Sequence, residues 1–357
     1  MHNPYAGKPD QSFWKRSVGG RATTEVDPVV HPRFTIGRTD KIATAGSCFA
    51  QHISRTLGRL GFGYFVPEDR PAFAFCEDEN YGTYSARYGN VYTVRQLWQL
   101  FQRAYGLFDP QDAAWQREDG RFVDPFRPRI QAGGYATEAD LQTDREAHLA
   151  AVRSVFEDCD VLVFTLGLTE GWESKADGAV FPLVPGVVAD GLDADAYEFH
   201  NFTVAEMDAD LTRFLKALRK VNPAVSVMLT VSPVALVATY EDRHVLTSTV
   251  YSKSALRVVA QMAADAHDFV DYFPSYEMIT GPHTRGAFWA DDLREVRPEG
   301  VDYVMSKFAA HYLRETGEGA GHTAPAAVSE ALIAAQLADI ERLEAVICDE
   351  EQIEIRS

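Results

Sequence analysis

Three residues at a tight turn, Gly46, Ser47 and Cys48, combine a flexible backbone with two nucleophilic side chains. A short apolar run precedes them and predicts a strand, and the apolar residues after them recur at helical spacing. Backbone N–H groups at the start of a helix are unpaired, and the helix dipole lowers a thiol pKa and stabilises an oxyanion. Cys48, or Ser47 beside it, is therefore a candidate nucleophile. The alternative is a turn of small residues in which Cys48 is a buried hydrophobic side chain.

The elements that must position this turn alternate between strands and helices. Apolar, β-branched runs predict strands buried on both faces, and longer periodic segments predict helices. Such alternation indicates an α/β fold with a parallel sheet covered by helices on both sides, which places ligands beyond the carboxyl ends of the strands. Residues 173–203 have no clear period and predict a loop. The predicted strands are 40–45, 161–166, 225–231 and 269–273, and the predicted helices are 49–60, 94–106, 141–156, 204–220, 252–266 and 301–313.

Charge and composition exclude several partners. The chain has 357 residues, with 34 Lys and Arg against 52 Asp and Glu, so its net charge of −18 repels the phosphates of nucleic acids and of anionic membrane surfaces. No apolar run approaches the roughly 20 residues of a membrane span, and the first 20 residues carry no secretory signal. The cysteines form no CxxC pair or metal-like spacing. We expect a cytoplasmic protein with no metal, no other cofactor and no membrane partner.

The chain divides into three predicted parts. Residues 1–34 are rich in proline and predict an extended arm, and residues 35–316 contain the alternating elements. Residues 317–357 predict a linker followed by a helix with one apolar stripe. That helix either docks on its own domain or pairs between subunits, which would give a homo-oligomer.

Several sequence blocks, in order, resemble the GSCFA family. The resemblance covers about residues 35–315 and implies a relation to SGNH (GDSL-like) esterases and acyltransferases, whose fold is a three-layer α/β/α sandwich with a parallel sheet. The chain would add insertions and a C-terminal helix to that fold. The matching blocks are residues 45–53 (AGSCFAQHI), 87–93 (RYGNVYT), 164–170 (FTLGLTE), 230–234 (TVSPV), 251–253 (YSK) and 272–277 (YFPSYE).

The resemblance implies roles for the turn residues. GDSL-type enzymes carry the nucleophile at the third residue of Gly-Asp-Ser, which corresponds to Cys48 here, with Ser47 in place of the aspartate. We therefore favour Cys48 as nucleophile and keep Ser47 as the competitor.

The resemblance also implies oxyanion and substrate-binding residues. Gly89 is the best match to the glycine whose N–H faces the oxyanion, and Asn90 is the alternative donor. Residues 167–170 resemble the Gly-x-Asn-Asp block, with Thr169 in place of the asparagine and Glu170 in place of the acid. Thr169 and Glu170 could instead be a helix N-cap and a first-turn acid.

The chain departs from that pattern at its predicted base. SGNH enzymes carry Asp-x-x-His, and the matching residues are Asp292 and Glu295, so a carboxylate stands where the histidine would be. A carboxylate with a pKa near ~4.3 is a weak base unless burial raises that pKa. We therefore expect a histidine from another loop, first His244, which follows Asp242 closely, with Asp292 or Glu295 orienting it.

Other side chains are weaker candidates for the site. His200 is the second choice of base, and His52 lies one helical turn after Cys48. Ser252 and Lys253 are neighbours on a helix and should point apart, so we expect Lys253 to form an ion pair or to bind an anionic group of the substrate.

The predicted function is that of an enzyme. The first hypothesis is an SGNH-like hydrolase that cleaves an ester of a small acyl group, with a carbohydrate as a candidate carrier, through a covalent acyl-enzyme. The second is an O-acyltransferase that moves acetyl from a thioester to a sugar or polyol. The third is a carbohydrate-binding protein without catalytic activity.

Overall fold

The computed structural model describes residues 2–47, 49–68, 80–189 and 191–314, together with Ile353. A parallel sheet of four strands forms its centre, in the order β10 (Val270–Tyr272), β9 (Ser226–Val231), β5 (Val161–Leu166) and β2 (Ile42–Gly46). Strands β2, β5 and β9 are almost entirely buried, as expected for a sheet covered on both faces, whereas the edge strand β10 is fully buried only at Val270.

Helices cover both faces of this sheet. Phe164 and Leu229 belong to an apolar core with α2 to α5, whereas Val163 and Met228 belong to a second core with α1, α6 and α7. Neighbouring strand residues thus point to opposite cores, which confirms the predicted α/β/α fold class. The helices are α1 (Ala50–Arg59), α2 (Val94–Ala104), α3 (Glu138–Asp158), α4 (Val204–Val221), α5 (Val245–Ala266), α6 (Ser275–Thr280) and α7 (Pro298–Tyr312).

The segment predicted as a loop contains a second sheet, so that prediction was wrong. The second sheet is antiparallel, with β6 (Glu170–Ser174) between β7 (Val180–Phe181) and β8 (Tyr197–Asn201). It was missed because each strand is short and its apolar residues do not alternate regularly. The remaining strands form two short pairs, β1 (Ile36–Gly37) with β11 (Leu313–Arg314) and β3 (Trp115–Gln116) with β4 (Phe122–Val123).

Two helices begin earlier than predicted because side chains cap them. Thr137 accepts a hydrogen bond from the Asp140 N–H and starts α3 three residues before the apolar stripe. His244 accepts one from the Leu246 N–H through Nδ1 (3.1 Å) and starts α5 at Val245.

The terminal segments differ in how much of them is described. Residues 2–34 contain only short helical turns, and Asp27 joins this segment to α7 through His311 Nε2 (2.8 Å). The C-terminal linker and helix fall outside the described residues, except for Ile353. The three-part division of the chain therefore stays a prediction. In the described ranges, no helix is long and apolar enough to cross a membrane.

Candidate functional site

The turn after β2 can be made only with a glycine at its first position. Gly46 has a φ of +133°, and a Cβ there would lie 2.3 Å from the Thr165 carbonyl oxygen of β5. Two backbone hydrogen bonds fix the next residue, Ser47. Its N–H donates to Thr165 O of β5 (3.1 Å), and its carbonyl oxygen accepts from the Ala50 N–H (2.9 Å) at the start of α1. Ser47 is thereby fixed between the sheet and a helix N-terminus. Cys48 lies outside the described residues.

The Ser47 hydroxyl is buried without a partner. Its residue is 3 % exposed, and among the described residues nothing hydrogen-bonds to Oγ. A buried polar group left unsatisfied costs about 1–3 kcal/mol, so it calls for an explanation. The Ser47 hydroxyl shares this state with others, Thr165 Oγ1 among them, and differs from them in lining a crevice at the carboxyl edge of the sheet.

Ser47 lines a narrow crevice at the carboxyl edge of the parallel sheet. Ser47, Gly167 and Ser232 are the first residues after β2, β5 and β9, and the strand register brings these three ends side by side. A Cβ on Gly167 would come within 3.1 Å of the Ser47 Cβ, so only glycine leaves room here. The described residues lining the crevice are Ser47, Tyr92, Gly167, Leu168, Ser232, Val234, Ala235, Leu236 and Lys253.

Lys253 reaches this crevice from α5. It is 2 % exposed, and its Nζ donates to the Gly167 carbonyl oxygen (2.5 Å). The neighbouring Ser252 accepts from the Thr169 N–H through Oγ (3.0 Å), so α5 holds the loop after β5 at two points. Helical spacing is the signal that could have found Lys253, since it lies three residues before Leu256 on the buried stripe of α5.

The predicted oxyanion residues lie on two loops. Gly89 adopts a left-handed φ of +70°, and Asn90 is buried just before Val91, whose N–H donates to Gly46 O (2.9 Å). Thr169 is also buried, but its hydroxyl donates to the Asn201 Oδ1 (2.7 Å). In this arrangement the Thr169 hydroxyl braces β8 and does not point a donor at the crevice.

Glu170 is the first residue of β6, so the alternative interpretation of it as a helix acid was wrong. Its carboxylate accepts hydrogen bonds from Thr239 Oγ1 (2.7 Å) and from the Tyr240 N–H (3.3 Å). Burial raises the pKa of this carboxyl.

The predicted bases lie elsewhere. No histidine is among the described residues that line the crevice. His244 is exposed and caps α5, and His200 bonds through Nε2 to the Glu206 carboxylate (3.0 Å) on α4. Asp292 and Glu295 are exposed in one turn, where Asp292 Oδ1 accepts from the Glu295 N–H (3.0 Å). Their catalytic roles stay predictions.

His52 lies on α1 against Phe49, with ring centroids 5.4 Å apart. Burial, together with the positive charges of Arg55 and Arg59, lowers its pKa to about 4. The imidazole is therefore neutral at pH 7.

A larger cavity opens beside the crevice. Its volume is about 340 Å³, and it shares Tyr92, Leu168 and Leu236 with the crevice. Within the described ranges, no group of three or more His, Cys, Asp or Glu side chains could hold a metal ion. The arrangement therefore offers a hydroxyl and an amine at a sheet edge, next to a cavity.

Comparison with known proteins gives one match. A model of the GSCFA family matches residues 41–308, which is most of the chain and includes all four strands of the parallel sheet. No curated protein matches the chain, and no solved structure matches it.

Proposed function

The chain belongs to the GSCFA family, and we propose that it is an acyl ester hydrolase that forms a covalent acyl-enzyme on the turn after β2. One observation carries the proposal: the buried Ser47 hydroxyl has no partner among the described residues and shares its crevice with Lys253. The relation to SGNH esterases that the family resemblance implies supports the same reaction class.

Two nucleophiles remain in the proposal. Ser47 has the geometry described above, whereas Cys48 has the position that the family resemblance favours. A positive charge and a helix N-terminus make a thiol ionise more easily than a free thiol, and a serine needs a neutral amine as base. We propose Lys253 as the base for either nucleophile.

The proton transfers balance with Lys253 as the only acid and base. In its neutral form the amine takes the nucleophile's proton as the oxygen or sulfur attacks the acyl carbonyl carbon. The tetrahedral oxyanion collapses and breaks the ester bond, and the ammonium returns the proton to the departing alcohol. Water then adds to the acyl-enzyme by the same route, releasing the acid and restoring the nucleophile.

The oxyanion is stabilised from the start of α1. The Ala50 and His52 N–H groups of the first turn already donate to Ser47 O and Phe49 O, so the start of α1 offers the developing negative charge its helix dipole.

Hydrolysis of p-nitrophenyl esters by four variants tests the proposal. We expect Ser47→Ala or Cys48→Ala, whichever removes the nucleophile, to lower kcat by at least about a thousandfold. The double variant should be inactive. Lys253→Met should lower kcat by about 10²–10⁴ while circular dichroism stays unchanged.

Matched controls are available on helix surfaces. Ser254 on α5 and Lys216 on α4 are both exposed, so Ser254→Ala and Lys216→Met should keep full activity. Activity retained in the Ser47→Ala, Cys48→Ala double variant contradicts the proposal. If an added alcohol captures the acyl group faster than water does, the same site works as an acyltransferase.

A further inference from the structure

The cavity beside the crevice is lined mainly by apolar and aromatic side chains. Its walls come from the antiparallel sheet, the loop after β5 and the loop after β9, so it lies on the same edge of the molecule as Ser47. The described residues lining it are Tyr92, Gln96, Leu168, Glu170, Gly171, Trp172, Phe181, Pro182, Leu183, Val184, Phe199, Leu236, Val237, Ala238, Thr239, Tyr240 and Ile353.

Three aromatic rings form one wall and contact each other. The ring centroids of Trp172 and Tyr240 are 4.8 Å apart, those of Phe199 and Tyr240 are 5.4 Å apart, and those of Trp172 and Phe199 are 6.1 Å apart. These are edge-to-face and tilted contacts between the rings themselves. They leave no gap between the rings for an ammonium group, so this wall is not a cage for a cation.

The one carboxylate in the lining is already satisfied. Glu170 accepts hydrogen bonds from the Thr239 hydroxyl and the Tyr240 N–H, and burial raises its pKa, which disfavours the charged form. Among the described lining residues there is no Lys, Arg or His to bind an anionic group. The chemistry offered to a ligand is therefore contact with hydrocarbon.

We infer that this cavity binds an apolar group of the ester, a medium-length alkyl chain or an aromatic ring, and so selects esters larger than acetates. The inference rests on the proposed function. About 340 Å³ lies within the ~300–1,000 Å³ typical of small-molecule sites, and an acetyl group would leave most of it unfilled. The shared residues Tyr92, Leu168 and Leu236 let one substrate reach both the cavity and Ser47.

The size of the effect follows from hydrophobic burial. Each methylene buried is worth about a fourfold change in kcat/KM, and an octanoyl group has about six more methylenes than an acetyl group. We expect kcat/KM for p-nitrophenyl octanoate to exceed that for the acetate by at least about a hundredfold. Comparing octyl acetate with ethyl acetate shows whether the apolar group is instead on the alcohol side.

A variant that fills the cavity tests whether the cavity causes the preference for long chains. Ala238 is exposed at the rim, so Ala238→Trp should fold normally and place its ring in the cavity. We expect it to lower the preference for long chains over acetates by at least about tenfold. Val258 on α5 is 48 % exposed and does not line the cavity, so Val258→Trp is the matched control and should keep the wild-type preference.

Calorimetric titration with octanamide, which is neutral and resists hydrolysis, separates binding from catalysis. Binding to the wild type that is lost in Ala238→Trp supports the inference, even if no ester is cleaved and the proposed function fails. Cleavage of acetates with no gain from a longer chain on either side, together with no octanamide binding, overturns the inference and leaves the proposed function standing. Absence of both binding and cleavage overturns both.

Discussion

Ser47 and Lys253 are buried polar side chains at the end of three parallel strands. Burying a hydroxyl that has no partner among the described residues and burying an amine both cost free energy, yet the two side chains share one crevice. Alanine at position 47 and methionine at position 253 would fill similar space without burying a polar group. The placement is explained if both groups meet a substrate.

Gly46 provides the first prediction at this scale. Gly46→Ala should lower the free energy of unfolding by about 1–3 kcal/mol from its φ alone, and by more from the 2.3 Å approach of a Cβ to Thr165 O. Gly58 in α1 has open space around it, so Gly58→Ala should raise stability by up to about 1 kcal/mol. Urea unfolding measures both. An unfolding curve for Gly46→Ala that matches the wild type contradicts the description of the turn.

The sequence predicted the turn but not the role that we propose for Lys253. Gly46, Ser47 and residues 167–170 follow predicted strands, and parallel strands end at the same edge of a sheet. Lys253 was predicted to form an ion pair or to bind an anionic group of the substrate, and which of two neighbours on a helix faces a crevice depends on how α5 packs. His244 was expected to be a base because of its neighbours in sequence, and its actual capping contact depends on where α5 begins.

At the scale of elements, long apolar runs were predicted well and short strands were not. Residues 161–166 are buried throughout, so their pattern could be read without knowing their partners. Strands β6, β7 and β8 pair with each other over 2 to 5 residues and include exposed and charged positions. Their structure depends on their pairing partners and on the cavity that they line. Neither can be read from the periodicity of the sequence.

A buried ion cluster joins the insertion between α2 and α3, residues 105–137, to α3 and provides a prediction at the element scale. Asp124 accepts hydrogen bonds from the Nε atoms of Arg127 (2.9 Å) and Arg145 (3.1 Å), and all three side chains are largely buried. Asp124→Asn should cost about 3–5 kcal/mol, because it removes the buried counter-charge of Arg145 and leaves Arg127 paired with Asp144 alone.

The matched control is an exposed ion pair in the same insertion. Asp119 lies 3.2 Å from Arg117 with both side chains partly exposed, so Asp119→Asn should change the free energy of unfolding by at most about 1 kcal/mol. Chemical denaturation of both variants makes the comparison. If both variants change the free energy of unfolding by the same small amount, Asp124 does not hold the insertion against α3.

The whole molecule should lose stability on mild acidification. Burial lowers the pKa of His52 to about 4, and burial with Arg127 nearby lowers the pKa of His148. Below the ordinary histidine pKa of about 6.5 the unfolded chain binds protons that the folded chain does not. The stability from these two groups is therefore complete above pH ~6.5 and is lost progressively as pH falls towards about 4.

Thermal unfolding between pH 7 and pH 4.5 measures this loss. The His52→Gln variant should show a shallower dependence on pH than the wild type, because it removes one of these two groups. A wild-type melting temperature that is constant over this range contradicts the assignment of buried, neutral histidines.

The central claim is a covalent acyl-enzyme on the turn after β2, and mass spectrometry of the acid-quenched reaction tests it most directly. The account predicts that the full chain, mixed with a p-nitrophenyl ester, gains the mass of one acyl group, located on the peptide that contains Ser47 and Cys48. The adduct should be absent from the Ser47→Ala, Cys48→Ala variant. Ester turnover with no adduct on that peptide, or an adduct of the same yield in the double variant, would contradict it.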